Sequence, residues 1–150
     1  MYTTILFLHI LGATIWTGGH LVLAFSVLPA ALKARDPARL LAFEKSYEGL
    51  GMSALAVQVL TGLWLAHTLQ PSIADWFALA SPQSKLILLK LGLLLLTAAT
   101  AIDARLRIIP KLDARTLPKM AVRIALVTLF SVLFVAAGVS FRGGLLFGMV

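Results

Sequence analysis

Apolar residues along this chain run on in four long blocks, with polar residues gathered between them. Neither the two-residue alternation of a half-buried strand nor the single stripe of a water-facing helix describes them. The blocks span about residues 2–32, 48–70, 84–109 and 119–141. A bilayer core of about 30 Å is crossed by roughly 20 apolar residues in a helix, so each block is long enough. Prolines punctuate the pattern. Pro71 stops the second block, Pro82 opens the third, Pro110 ends it, and Pro118 precedes the fourth, since proline lacks the backbone donor a helix interior needs. Pro29 falls in the last turns of the first block. Asp36-Pro37-Ala38-Arg39 reads as a capped start, predicting a short amphipathic piece to about Ser46 at the membrane surface. Short connections predict an all-α, antiparallel, up-down-up-down four-helix bundle, one transmembrane domain over residues 1–150.

Composition agrees. The chain is 60% hydrophobic and 13% charged, with a mean hydropathy of +0.97, where soluble domains carry about a quarter charged residues. The net charge of +7 could suggest a nucleic-acid partner, but its placement argues against one. Lys33, Arg35, Arg39 and Lys45 follow the first block, and Arg105, Arg107, Lys111, Arg115, Lys119 and Arg123 surround the third connection, so ten of thirteen basic residues lie at one end. By the positive-inside rule that end is cytoplasmic, which predicts both termini outside and a multi-pass protein of a bacterial-type inner membrane. Trp76 and Phe77, in the outer loop, are expected as interfacial anchors. With no cysteine, disulfides and thiolate metal sites are excluded.

The candidate chemistry is histidine. His9 and His20 fall inside the first apolar block, and groups of that kind are costly within a membrane unless they serve a site or pathway. Positions seven and eleven apart return to one helix face, so His9, Trp16 and His20 form a stripe. Eleven residues at 1.5 Å each separate the two imidazoles by ~16 Å along the axis, too far to share one metal ion. His67 closes the second block, Lys90 lies in the third and Arg142 ends the fourth. Topology therefore predicts His9, His67, Lys90 and Arg142 in the outer half of the bundle. The plainer alternatives are interfacial placement for His67, snorkelling for Lys90 and anchoring for Arg142. Asp103 is expected as a salt-bridged surface residue. No phosphate loop, zinc-protease helix or calcium loop is present.

Two resemblances sharpen this picture. Leu8-His9-Ile10-Leu11-Gly12-Ala13, Ile15-Trp16-Thr17-Gly18-Gly19, Leu60-Thr61-Gly62 and Leu88-Leu89-Lys90-Leu91 resemble segments of the copper resistance protein D family. That resemblance implies copper handling, with His9, His67 and His20 as metal ligands, Lys90 tuning the site, and Met1 or Met149 as an added donor. A periplasmic copper carrier would be a partner. The histidine of the first helix with the lysine of the third also resembles the HemJ-type protoporphyrinogen oxidases. That implies a b-type haem with His9 and His67 as axial ligands and Lys90 or Arg142 pairing its carboxylates, beside Trp16. The protein would then be an oxidoreductase with an electron-transfer partner. Copper transport or delivery is the first expectation and haem the alternative, with a homodimer through glycine faces expected in either case.

Overall fold

The computed structural model describes residues 1–146. Helix α1 covers Tyr2–Ala34, α2 Ala38–Leu69, α4 Pro82–Lys111 and α5 Leu117–Gly143, each long and apolar enough to cross a membrane. A five-residue helix, α3 (Ile73–Phe77), sits in the connection after α2. No strand occurs among the described residues. The burial pattern is that of a bundle in lipid: Phe7, Phe25, Leu60, Leu95 and Leu106 point outward and are 62–77% exposed. Such a surface is unsustainable in water.

Local chemistry sets the helix ends. Arg35 closes α1 in the left-handed conformation at φ 51°. Asp36 accepts the Ala38 N–H at 3.0 Å, but the expected separate surface piece does not form. Nothing between Ala38 and Glu48 breaks helical geometry, so α2 runs unbroken through it. Ser81 and Ser84 form a reciprocal capping box at the start of α4, which satisfies donors that a helix start leaves free. Trp76 departs from its expected anchoring role. Its ring is buried and its indole N–H donates to the Gln70 carbonyl at 2.8 Å, answering a carbonyl left free at the end of α2. Phe77 is exposed.

The helices pack in the order α2, α1, α5, α4. Gly12 brings α1 against α2 so closely that a Cβ there would stand 3.0 Å from the Ala54 carbonyl oxygen, a small-residue contact typical of membrane helices. Helices α2 and α4 do not pack on one another along their length. A seam between them is bridged near its two ends, by the Glu48–Arg105 ion pair and by the Gln70 amide donating to Ser81 Oγ at 2.9 Å. The end holding the start of α1 and the close of α5 is the terminal face; the end holding 35–37 and 112–116 is the basic face. Near the basic face, Leu28, Ala31, Leu40, Leu117 and Ile124 make the apolar core. Both α1 and α4 carry a π-helical turn toward that face, Leu23–Val27 and Ala104–Ile108.

Candidate functional site

His9 is half-buried between α1 and α2. Its Nδ1 lies 2.9 Å from Thr61 Oγ1, and the Thr61 hydroxyl donates its single proton to the Val57 carbonyl at 2.6 Å. The hydroxyl can then only accept from the imidazole. With the hydroxyl proton assigned to Val57, the His9 proton sits on Nδ1 and the Nε2 lone pair is free. Gly62 makes room for the ring, since a Cβ there would come within 3.0 Å of His9 Cε1.

His20 repeats the arrangement eleven residues on. Its Nδ1 lies 2.9 Å from the Trp16 carbonyl oxygen, which can only accept, so Nε2 again holds the lone pair. The Trp16 ring packs on the imidazole at 4.4 Å between centroids. The Tyr47 hydroxyl donates to the Ile15 carbonyl at 2.7 Å, and its ring fills the space where Gly19 lacks a side chain. Below His20 the seam widens into a cavity of about 190 Å³, lined among others by Tyr47, Glu44, Glu48, Arg105 and Met120. Asp103 sits nearby and pairs with Arg123 at 2.8 Å and Arg107 at 3.4 Å.

Lys90 occupies the terminal half. Its ammonium lies 5.8 Å from the centre of the Phe141 ring and 3.7 Å from where a Gly138 Cβ would be. Helix register sets its depth against His9. Thr17 reaches the Ser131 carbonyl and Thr128 reaches the His20 carbonyl, so the antiparallel α1–α5 pairing puts His9 level with Val139. Lys90, against Gly138 and Phe141, is at that same level.

The other predicted residues separate from this pair. His67 lies six residues beyond Thr61, about 9 Å along α2, and is exposed. It is level with the first turn of α1, where Tyr2 packs on Trp64 at 6.3 Å. His9 and His67 thus lie at different depths, the first half-buried and the second exposed. Arg142 is exposed, Trp16 belongs to the His20 layer, and Met149 lies outside the described residues. Among the described residues no three histidine, aspartate or glutamate side chains gather closely enough to hold a metal ion. Sequence reasoning met Thr61 only within the Leu60-Thr61-Gly62 segment; its place beside His9 is revealed by packing alone, as are the Glu44 and Met120 surroundings of His20.

The model of the family described as copper resistance protein D matches residues 41–141, which takes in nearly all of α2, all of α3 and α4, and α5 to Phe141. The chain belongs to the copper resistance protein D family. No curated protein matches it, and no solved structure does. Family membership and four membrane-capable helices together make this a multi-pass membrane protein of the copper-resistance class. The match spans Thr61, Lys90 and the lining of the seam, but begins after α1, so His9 and His20 stand outside the matched segment.

Proposed function

We propose that this copper resistance protein D family member moves copper ions along the seam of its bundle. His9 is the ligand in the terminal half and His20 the next station toward the basic face. One observation carries the reading: the two imidazoles on one face of α1 are each anchored at Nδ1, to Thr61 Oγ1 and to the Trp16 carbonyl, an arrangement that points both Nε2 atoms away from their anchors as electron-pair donors for a soft or borderline cation. Imidazole suits copper, and thioether suits cuprous ion. Met120, on the wall of the His20 cavity, supplies a thioether on the way out.

Few protein donors at each station suit passage over storage. An ion that must leave again cannot be held by a complete ligand set, and the Lys90 charge at the depth of His9 works against tight retention. The basic face belongs at the cytoplasm of a bacterial-type inner membrane by its charge. There Glu44 and Glu48 line the cavity mouth and would draw a cation outward.

Purified protein in liposomes, with a copper-reporting dye inside, tests the reading. Wild-type protein is expected to admit copper, and His9→Ala and His20→Ala each to reduce the rate by tenfold or more. Equal rates for wild type and both variants would overturn it. An absorption spectrum of the same preparation addresses the haem alternative, in which Lys90 would pair a haem carboxylate next to His9. A Soret band lost in His9→Ala would favour haem over copper transport.

A further inference from the structure

The cavity below His20 has a shape and lining that passage of an ion does not call for. Its volume is about 190 Å³, somewhat more than the roughly 150 Å³ that takes up one benzene molecule. Trp16, Phe43 and Tyr47 give it aromatic walls, and Leu23, Ile124 and Val127 continue an apolar lining. The rings are already ordered. Phe43 stacks on Tyr47 with centroids 5.5 Å apart and planes at 21°, and Trp16 packs on the His20 imidazole at 4.4 Å. Apolar and aromatic walls with a few placed polar groups are what small-molecule sites are made of. One side of the cavity belongs to α2 and the other to α4, helices that do not pack on one another along their length. A molecule dissolved in the bilayer can therefore enter through the seam.

The placed polar group is His20. Its Nδ1–H is spent on the Trp16 carbonyl, so Nε2 is an acceptor with no proton of its own. The neighbouring Tyr47 hydroxyl does not supply one, because it donates to the Ile15 carbonyl at 2.7 Å. A ligand that satisfies Nε2 must bring a proton, which a hydroxyl does and a bare carbonyl does not. Charge at the mouth narrows the choice further. Glu44, Glu48, Arg105 and Arg123 line the cavity, two carboxylates against two guanidiniums. Arg105 is engaged by Glu48 and Arg123 by Asp103, so a phospholipid phosphate meets no free guanidinium on this lining. Glu44 forms no salt bridge among the described residues and offers a second acceptor, three residues or about 4.5 Å along α2 from Tyr47.

We propose that this cavity binds the head of a lipid-soluble quinol, a neutral dihydroxy-aromatic ring on an apolar tail. One hydroxyl donates to His20 Nε2, the aromatic walls hold the ring, and Glu44 is the acceptor for the second hydroxyl. The tail leaves through the seam between α2 and α4 into lipid. The oxidised quinone carries no proton for either acceptor and would leave a buried lone pair unmet, so the site prefers the reduced form. This binding stands without copper passage. A bound ring takes up the same Nε2 that an ion would use, so ring and ion exclude each other at His20.

Isothermal titration of the full chain in lipid nanodiscs tests this, with decyl-substituted hydroquinone under anaerobic conditions and with the matching benzoquinone. Empty nanodiscs correct for partition into lipid. Saturable binding at one hydroquinone per chain is expected, about tenfold tighter than benzoquinone, the scale of one buried hydrogen bond. His20→Phe keeps a ring against Trp16 and removes the acceptor. It should bind both forms with the wild-type affinity for benzoquinone, whereas damage to the fold would weaken both. Ala101→Trp, at an exposed position on the cavity rim, should fill the space and abolish binding of either form. The wild-type imidazole gives a check that needs no variant: its Nε2 nitrogen-15 signal should move with hydroquinone and not with benzoquinone. Equal wild-type affinity for the two forms, an unmoved Nε2 signal, or a bound phospholipid that hydroquinone fails to displace would each overturn the proposal.

Discussion

Replacing Thr61 by valine keeps the side-chain shape and removes the atom that orients His9. The substitution leaves no cavity, so its cost comes from hydrogen bonding alone. The His9 Nδ1–H bond to Thr61 spans 2.9 Å, a neutral pair with a net contribution of about 1 kcal/mol. The stranded N–H adds roughly 1–3 kcal/mol when no other acceptor replaces the hydroxyl. Thr61's own bond to the Val57 carbonyl contributes little, since that carbonyl also serves the helix ladder. A destabilisation of about 1–3 kcal/mol follows, relieved in part if the ring changes tautomer. Denaturant unfolding in detergent micelles reads the stability, and nitrogen-15 shifts of the imidazole read the tautomer directly. Thr61→Val is expected to lose the fixed Nδ1–H form, and Thr61→Ser, which restores the hydroxyl, to regain it. If copper binds at His9, its affinity should fall about 10–100-fold in Thr61→Val, as for other groups that orient a ligand. Unchanged imidazole shifts together with stability within about 0.5 kcal/mol of wild type would refute the assigned role of Thr61.

Three further outcomes follow from the same structure. Gly19→Ala should destabilise the bundle by roughly 1–3 kcal/mol because its Cβ would enter the space of the Tyr47 ring, whereas Gly18→Ala, which meets nothing within 4 Å, should not; thermal unfolding of both, and of Gly19→Ala combined with Tyr47→Ala as a rescue, checks this. Glu48→Gln should cost less than about 1 kcal/mol in stability, because its ion pair with Arg105 is exposed, yet widen access to the cavity below His20, measurable as faster labelling of a Tyr47→Cys reporter. Asp113 accepts the Thr116 and Arg115 backbone N–H groups, and these bonds hold its carboxyl below the ordinary value of 3.8. Its contribution to the 112–116 turn is therefore complete above that pH and lost only as pH falls through the lowered value. Protection of the Thr116 amide, followed by hydrogen exchange, should persist to pH 3.8 and drop below it, and Asp113→Asn should show no such step.

Much of this molecule is legible along the chain. Length and continuity of the apolar blocks decide that there are four membrane-capable helices, because a buried backbone in lipid must satisfy its own hydrogen bonds and only a helix of about 20 residues can do so across the core. Helical periodicity alone puts His9, Trp16 and His20 on one face of α1, and the clustering of basic residues at one end follows from counting. The tertiary structure decided which depths meet. The sequence reading matched His9 with His67 by counting from helix ends. Because α1 starts at Tyr2 and α2 is drawn against it at Gly12, the partner of His9 is Thr61 instead. Axial register depends on where two helices interlock, and no single helix carries that information. Packing order likewise opened the seam between α2 and α4 and hollowed the cavity at His20. It also set Lys90 level with His9, since contact among four helices, and not the composition of any one, determines which depths meet.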